Sequence, residues 1–412
     1  MSPSSYIDAH EGRLLKTLQG LVAVSTVNPP GRDYARISAL LTRELTAAGL
    51  KARRFSIPHS LLKRHLPGQQ AYPRFNVLGR LRAPGASKTI HFNAHYDVVP
   101  VSGTWRFGGP FSGKVSSGWI YGRGTADMKG SIASLLLALE ALRATGTAPL
   151  MNVEVSFTAD EETDSVLGAG WLVANAPIRP DYAVVMEGGE GDSVCCGHNG
   201  VIWLEVSIRG KAAHGSTPQD GINALEKMSA LVLALEEYKG QIARRKIVSP
   251  EGRVLRPTIN VGGVFSAGEG GKVNTVPAFA SFTIDRRVIA TEDRFAAERG
   301  LRTFLAAAAR KIPQCDITVR KISENLSCYH EPTHPFFSAM ASSVGRVRGA
   351  RAGFNLSTGF NDMHFFSHYL KIPTLGYGPG GDNEHAVDER ARVLDLVRTA
   401  KIYADLLTTF SG

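Results

Sequence analysis

The stretch Val153–Thr163, VEVSFTADEET, decides the fold. It begins with alternating apolar residues, Val153, Val155 and Phe157, which predict a β-strand. The strand is followed by four acids: Asp160, Glu161, Glu162 and Asp164. A buried strand that delivers carboxylates at its C-terminal end is typical of an open α/β sheet, in which ligands bind beyond the strand ends. Because adjacent carboxylates repel one another in a cleft, we expect a cation beside them, and a divalent metal ion is the first candidate.

Length and composition indicate a globular protein with more than one domain. The 412 residues exceed what one compact core usually holds, and 43% of them are hydrophobic. Lys and Arg (47) outnumber Asp and Glu (37), which gives a net charge of +10. The basic residues are scattered, with one tight run at Arg244–Lys246, so we do not predict nucleic-acid binding. The positive background would instead attract an anionic small substrate.

Cysteine usage and hydropathy predict a cytoplasmic protein. No CxxC spacing occurs among the four cysteines, which favours reduced thiols: Cys195, Cys196, Cys315 and Cys328. No stretch approaches the ~20 apolar residues of a membrane span, so we expect no membrane insertion. A serine hydrolase is also disfavoured, because the sequence has no GxSxG motif.

Two further acid- or imidazole-bearing segments follow predicted strands. His95 and Asp97 come directly after the strand Thr89–Ala94, and their spacing puts both side chains on one face of an extended chain. A metal-bound imidazole usually has a carboxylate nearby, although a histidine that only caps the sheet remains an alternative. Glu187 follows the apolar strand Tyr182–Met186 in the same way.

Asp127 and His385 lie in glycine-rich segments. Asp127 occurs in YGRGTADMKG, just before the predicted helix Ser131–Ala144, where helix capping is the simplest alternative role. His385 occurs in GYGPGGDNEHAVD, after a short apolar strand. The candidate donors are then six: His95, Asp127, Glu161, Glu162, Glu187 and His385. Such mixed ligation suits two Zn²⁺ ions bridged by one carboxylate.

These motifs resemble the M20 peptidases, which include acetylornithine deacetylase, succinyl-diaminopimelate desuccinylase, aminoacylase and carboxypeptidase G2. The similarity extends from about Leu14 to Leu407, and it is specific in its combination of motifs: HYDVVP (95–100), YGRGTADMKG (121–130), TADEE (158–162), MEGG (186–189), AAHGSTPQDGINA (212–224) and GPGGDNEH (378–385). The segment Ser357–Asp362 matches the family only loosely.

The resemblance implies a role for each candidate residue. One zinc ion is held by three side chains: His95, Asp127 and Glu187. Asp127 bridges to the second zinc ion, which two more residues hold: Glu162 and His385. Co²⁺ or Mn²⁺ is expected to substitute for zinc. Glu161 is the implied general base, and Asp97 is the carboxylate that orients His95.

We predict an α/β fold with two domains. Residues 1–198 and 329–412 form a discontinuous catalytic domain with a central mixed, mostly parallel sheet flanked by helices. Residues 199–328 read as strands and helices in the order βαββαβ, which predicts an inserted ferredoxin-like α+β domain. The resemblance implies that this insertion is the lid and the surface through which a homodimer forms.

Three residues of the inserted domain receive roles from the resemblance. His214 is implied to reach the partner subunit's active site and stabilise the oxyanion, whereas an ordinary surface histidine is the alternative. Asn274 and Arg287 are implied to receive the substrate carboxylate, for which a guanidinium is well suited. Arg286 is the alternative to Arg287.

The resulting function is zinc-dependent hydrolysis of the amide bond of a small N-acylated amino acid. Glu161 would take a proton from the attacking water and return it to the leaving amine, with lid closure completing the site. An M20 metallocarboxypeptidase or dipeptidase with the same residues is the main alternative. A non-catalytic metal-binding homologue is a distant one, because Glu161 is retained.

Overall fold

The computed structural model describes residues 1–188, 191–268 and 271–412. The chain divides into two compact units, which are formed by the following ranges: Met1–Gly197, Tyr329–Ser357 and Asn361–Gly412 for the first, and His198–Cys328 and Thr358–Phe360 for the second. The sequence analysis had assigned Thr358–Phe360 to the catalytic domain. The structure places this segment in the second unit, where the Phe360 ring lies 6.3 Å from the ring of Trp203 and 6.0 Å from the Arg287 guanidinium. The catalytic and lid roles stay predictions.

The α-helices of the described residues are numbered in chain order: α1 (Pro3–Ala9), α2 (Glu11–Val22), α3 (Tyr34–Ala47), α4 (His59–His65), α5 (Lys129–Ala144), α6 (Ala169–Asn175), α7 (Ala224–Ile242), α8 (Arg294–Lys311), α9 (Pro335–Arg348) and α10 (Val393–Thr409). The strands are β1 (Lys51–Ser56), β2 (Phe75–Leu81), β3 (Thr89–His95), β4 (Lys114–Ser116), β5 (Trp119–Tyr121), β6 (Asn152–Thr158), β7 (Tyr182–Val185), β8 (Ser193–His198), β9 (Gly200–Arg209), β10 (Ile247–Val248), β11 (Val254–Leu255), β12 (Thr258–Ser266), β13 (Phe279–Val288), β14 (Asp316–Asn325), β15 (Cys328–Tyr329), β16 (Gly353–Ser357), β17 (Thr374–Gly376) and β18 (Arg390–Arg392).

The first unit is built on a mixed sheet that contains the strand order β1-β2-β6-β3-β7-β17-β8, and β16 also pairs with β8. The central pairs, β6 with β3, β3 with β7 and β7 with β17, are parallel. The pairs toward both margins are antiparallel. The predicted α/β fold is thus confirmed, with parallel pairing confined to the centre. Because parallel neighbours end at the same edge of a sheet, the C-terminal ends of β3, β6 and β7 lie side by side.

Strand β6 is buried on both faces, not on one. Val153, Val155 and Phe157 are fully buried, as the alternation predicts. The intervening Glu154 and Ser156 are buried as well, and they are satisfied within the sheet: Arg80 donates to Glu154 at 2.9 Å, and Asn93 donates to the Ser156 hydroxyl at 2.9 Å. Helices cover the central strands of such a sheet on both faces, so its polar positions also face the interior.

The second unit contains a four-stranded antiparallel sheet with the order β12-β13-β9-β14. Helices α7 and α8 pack on one face of this sheet, and their core includes Leu204 of β9, Leu231 of α7 and Leu301 of α8. The chain order is βαββαβ, as in the predicted ferredoxin-like arrangement, with the small hairpin β10–β11 added before β12. Asn223 and Asp293 cap α7 and α8 by accepting backbone N–H groups.

Candidate metal centre

The predicted ligands converge at the C-terminal edge of the parallel strands. His95 is the last residue of β3, and Glu162 and Glu187 lie four and two residues beyond the ends of β6 and β7. Asp127 comes from the turn before α5, and His385 from the loop between β17 and β18. Suitable donor atoms of His95, Asp127 and Glu162 all lie within 4.8 Å of one another. The structure therefore brings together residues that are far apart in the sequence.

Asp127 lies between the two imidazoles. Its Oδ1 atom is 2.9 Å from Nε2 of His95, and its Oδ2 atom is 3.1 Å from Nε2 of His385. Nε2 of His385 is also 3.4 Å from Oε2 of Glu162, and Nε2 of His95 is 3.9 Å from Oε2 of Glu187. A carboxylate that turns one oxygen to each of two such groups is suited to bridge two cations.

The sequence left open whether Asp127 is a helix cap. Helix α5 begins at Lys129, its N-cap is Met128, and no side chain forms a capping hydrogen bond there. Both carboxylate oxygens of Asp127 instead face imidazole nitrogens. The capping alternative is therefore wrong.

His95 is held in one orientation by Asp97. Nδ1 of His95 lies 3.0 Å from the backbone oxygen of Asp97 and 3.5 Å from its carboxylate. A carbonyl oxygen only accepts, so Nδ1 carries a hydrogen, and Nε2 is the ring nitrogen that faces Asp127. The sequence analysis gives this role to the Asp97 carboxylate, whereas the shorter contact is made by the backbone carbonyl of the same residue.

The Asp97 carboxylate positions the segment that carries the two glutamates. It accepts the backbone N–H groups of Glu161 and Glu162, both at 3.2 Å, and the side-chain amide of Asn28 at 2.9 Å. The same Asn28 amide reaches Asp160 at 2.9 Å. This arrangement fixes the backbone from which both glutamate side chains project.

A buried ion pair lies behind this segment. Arg74 is fully buried, and its Nε atom donates to both Asp160 oxygens at 2.8 Å. Burial raises the pKa of Asp160 to about 6, although the Arg74 charge lowers it. The sequence analysis identifies neither Arg74 nor Asn28 as a site residue, because neither residue stands near an acidic motif in the chain.

Asp362 is a further buried acid that the sequence analysis passed over in its loosely matching segment. Ser165 donates a short hydrogen bond to Oδ1 of Asp362, while Oδ2 is buried without a hydrogen-bond partner. Burial raises the pKa of Asp362 to about 6. Its negative charge contributes to the raised pKa values of Glu161 and Glu187.

The cluster concentrates negative charge away from water. Burial, followed by the Asp127 charge, raises the pKa of Glu162 to about 9. Burial and the charge of Glu187 hold the pKa of Glu161 well above its usual range, and burial and Asp127 do the same for Glu187. Burial alone would lower the pKa of His95, but its hydrogen bond to Asp127 raises that pKa well above 6.5.

The residues fit a pair of divalent cations. Oε2 of Glu187 is buried without a hydrogen-bond partner, although it lies beside the imidazole of His95. The donor set consists of carboxylate oxygens and imidazole nitrogens, which suit Zn²⁺ and other divalent first-row ions. Positive charge at this place would offset both the burial and the mutual repulsion that raise the glutamate pKa values.

We expect the metal-free protein to lose stability as the pH rises from about 5 to about 9. The folded-state pKa of Glu162 is about 9, compared with ~4.3 in an unfolded chain. Between these values the folded state binds more protons, so the free energy of unfolding falls as the pH rises. The raised pKa of His95 has the same sign. Burial lowers the pKa of Lys129 to about 7, which opposes the trend above that pH.

Urea denaturation of metal-free protein across this pH range measures the trend. The Glu162→Gln variant is the matched control, because it removes the titrating group and should flatten the slope. Saturating zinc should raise the free energy of unfolding by at least about 2.7 kcal/mol at a hundredfold excess over the dissociation constant. That increase should be larger at pH 8 than at pH 6, and a metal-free stability that rises across this range would contradict the prediction.

In the second unit, the structure brings His214 and Asn274 together. The backbone N–H of Gly215 donates to the Asn274 carbonyl at 2.7 Å, and His214 pairs with Thr275 in an isolated bridge. The His214 side chain is exposed, and its Nδ1 accepts the backbone N–H of Ser216 at 3.2 Å. In the neutral form, Nε2 therefore carries the hydrogen and is available as a donor.

The two candidate arginines differ in their surroundings. Arg286 is fully buried, and it donates to Glu292 at 2.7 Å. Arg287 points to the other face of β13 and keeps 30% of its side chain exposed, beside Asp285 at 2.9 Å. Arg286 is thus committed to the core of the unit, whereas Arg287 is partly exposed and paired with Asp285.

Imidazoles and carboxylates that meet at the end of parallel strands, with a further glutamate beside them, define a metal-dependent hydrolase. A sequence profile described as Peptidase family M20/M25/M40 matches residues 91–409. A protein named succinyl-diaminopimelate desuccinylase from Methylocella silvestris is 30% identical over 347 residues, which cover 80% of this chain and 84% of the relative. The chain belongs to the Peptidase family M20/M25/M40.

Solved structures have the same fold. An M20 family metallo-carboxypeptidase from Sulfolobus solfataricus superposes with a TM-score of 0.76 at 20% identity, and the match covers 96% of this chain and 98% of the other. A dinuclear metal-binding M20 peptidase from Bacillus subtilis gives a TM-score of 0.69 at 15% identity, with 97% and 98% covered. These similarities extend over the whole α/β architecture. Among the described residues, none of the helices has the length and apolar character needed to span a membrane.

Proposed function

We propose that this protein hydrolyses the amide bond of a small N-acylated amino acid in a zinc-dependent reaction. The observation that carries the proposal is the position of Asp127, with one oxygen turned to His95 and the other to His385. The name of the 30%-identical relative supports a deacylase. The name of the dinuclear peptidase of the same fold supports two metal ions per chain.

In this proposal the residues divide into two overlapping sets. The first ion is held by three side chains: His95, Asp127 and Glu187. The second ion is held by three side chains: Asp127, Glu162 and His385. Such ions, when bound, polarise the substrate carbonyl and lower the pKa of water. Co²⁺ and Mn²⁺ are expected to substitute, since the oxygen and nitrogen donors also suit them.

Glu161 is the proposed general base. In the described part of the chain its carboxylate forms no hydrogen bond or ion pair, whereas the carboxylate of Glu162 lies 3.4 Å from His385. Its raised pKa, caused by burial and the Glu187 charge, suits a group that first takes a proton from water and then donates it to the leaving amine. Asp97 supports this role because it accepts the Glu161 backbone N–H.

The substrate is proposed to carry a carboxylate, which Arg287 and Asn274 would receive. The exposed fraction of Arg287 and the net charge of +10 both favour an anionic ligand. A metallocarboxypeptidase or dipeptidase with the same centre is the second candidate, and the similarity to the Sulfolobus carboxypeptidase favours it. A non-catalytic homologue is disfavoured, because Glu161 is present.

A panel of N-acyl amino acids and dipeptides, assayed with zinc-loaded protein for release of the free amine, tests this proposal. Highest kcat/KM on N-acyl amino acids is the expected result. A preference for peptides with a free amino terminus would favour the dipeptidase alternative. Turnover of neither class would contradict the proposed function.

The second unit is proposed to serve as the lid and the dimerisation domain. Strand β12 lies at the edge of its sheet, and it exposes Val264 and Phe265 by 67% and 74%. Exposed apolar edge strands are prone to pair with another chain, so a second copy is the natural occupant. All four cysteines carry reduced thiols, which fits the proposed cytoplasmic location.

His214 is proposed to stabilise the oxyanion in the partner's active site. We expect His214→Ala to lower kcat strongly with little effect on folding, because the side chain is exposed and its Nε2–H is available as a donor. Co-expression of His214→Ala with Glu161→Gln chains should restore about a quarter of wild-type activity. When the two chains pair at random, half of the dimers are mixed. In each mixed dimer one site has both Glu161 and the partner's His214, and the other site has neither.

Gln219→Ala is the matched control in the same loop region, since this residue has no proposed role, and it should leave activity unchanged. Sedimentation of the wild-type protein provides the oligomeric state. A monomer, or co-expressed chains no more active than either variant alone, would rule out the trans role of His214.

A further inference from the structure

Glu389 has no role in the reaction described above, although its carboxylate is fully buried. Its Oε1 atom accepts three backbone N–H groups from one turn: Gly124 at 2.9 Å, Ala126 at 3.0 Å and Asp127 at 3.1 Å. Its Oε2 atom accepts from Arg123 at 2.7 Å. Both oxygens are thus occupied by donors from residues 123–127. These residues belong to the turn 122–127, the Asp127 turn.

This turn needs an acceptor from outside its own sequence. Gly124 has φ +88°, and a Cβ atom there would lie 2.8 Å from the Val98 side chain, so the turn requires glycine at this position. Its N–H groups point to one place and converge on a single oxygen. A carboxylate is the strongest acceptor available for such a group of donors, and Arg123 compensates its buried charge.

Glu389 is also linked to the loop that carries His385. Asp382 and Arg390 exchange backbone hydrogen bonds of 2.9 and 3.1 Å, which close this loop at its base. Glu389 is adjacent to Arg390, and its own backbone oxygen accepts the N–H of Gly122 at 2.9 Å. One residue therefore connects the base of the His385 loop to both ends of the Asp127 turn.

We propose that Glu389 is the positioning residue for the bridging carboxylate of Asp127. It holds the backbone of the Asp127 turn at a fixed distance from the loop of His385, and so sets the spacing of two ligands of the same ion. This inference rests on the metal centre of the proposed function. Loss of such a supporting contact typically weakens metal binding about 10–100-fold.

The test compares three substitutions of Glu389. Glu389→Gln keeps the length and an oxygen for the three N–H groups, but it loses the charge toward Arg123. Glu389→Asp keeps the charge but is one methylene shorter. Glu389→Ala removes both contacts. Glu154→Gln is the control, because Glu154 is another buried carboxylate paired with an arginine, Arg80, in the same unit and without contact to the Asp127 turn.

The measurement is the titration of metal-free protein with Co²⁺, followed by visible absorption, together with urea denaturation of each variant. We expect about 10–100-fold weaker binding of at least one Co²⁺ ion, with an altered ligand-field spectrum, in Glu389→Asp and Glu389→Ala. Glu389→Gln should lie closer to wild type, and Glu154→Gln should bind as wild type does. This order supports positioning, and it can be established from the Gln and Asp variants alone if the Ala variant does not fold.

Three results would overturn the inference: Co²⁺ binding by all Glu389 variants equal to that of wild type, Glu389→Asp binding better than Glu389→Gln, or Glu154→Gln weakened as much as Glu389→Ala. The second of these would mean that charge and not position matters. Failure of the wild-type protein itself to bind Co²⁺ would contradict the proposed function, and it is distinguishable because it appears before any substitution is made.

Discussion

Replacement of Glu161 by Gln is expected to lower kcat by roughly 10²–10⁴-fold while both metal ions stay bound. The amide retains the size of the carboxylate but cannot take a proton from water. KM should change little, because the substitution removes no contact proposed to bind substrate. Steady-state kinetics with zinc-loaded protein, together with metal analysis of the same sample, measures both quantities.

Glu162→Gln is the matched control, since it is the same chemical change one residue along the chain. Glu162 lies 3.4 Å from His385, so its substitution should weaken metal binding, in contrast to Glu161→Gln. The role of Glu161 as general base would be contradicted by loss of an ion from Glu161→Gln, or by a kcat within about tenfold of wild type.

Replacement of Asp127 by Ala is expected to weaken the binding of both ions and to reduce kcat/KM by more than the roughly 10–100-fold that follows loss of a supporting contact at a metal site. Asp127 is the one side chain with an oxygen directed to each of the two imidazoles, at 2.9 and 3.1 Å, among the residues that the structure describes. Its removal therefore deprives each ion of a ligand at once. Metal analysis after dialysis and activity at saturating zinc measure the effect.

Asp405→Ala is a suitable control, because Asp405 also pairs with a cationic side chain, Arg346, but on the exposed surface. Exposed pairs contribute little to stability, so this variant should retain metal and activity. An Asp127→Ala protein that keeps one ion at wild-type affinity would show that Asp127 does not bridge.

Part of the centre follows from local sequence. His95, Glu162 and Glu187 could be proposed from strand ends alone, because the apolar strands predict a sheet and parallel strands bring their C-terminal ends to one edge. Asp127 and His385 do not follow a central strand in this direct way. Their glycine-rich segments made them candidate donors, but the division of the donors between two ions was implied only by the family resemblance. The structure places the Asp127 and His385 side chains in contact.

The roles of Glu389 and Arg74, which hold the backbone around the metal ligands, were not predictable because their partners are distant in the chain. Glu389 contacts Gly124 across 265 positions, and Arg74 contacts Asp160 across 86. An isolated buried Glu or Arg has no recognisable spacing in a sequence, since its role depends on which donors the fold brings to it. Thr358–Phe360 was misplaced for the same reason, because the packing of Phe360 against Trp203 is a tertiary contact.

The central claim is that these acids and imidazoles hold a pair of divalent cations on which hydrolysis depends. Equilibrium dialysis of the chelator-treated protein against Zn²⁺, with amide hydrolysis assayed on the same samples, tests it most directly. We predict two zinc ions per chain, with activity lost on chelation and restored on reloading. Unchanged hydrolysis after complete removal of metal, or a wild-type chain that binds no zinc, would contradict the account.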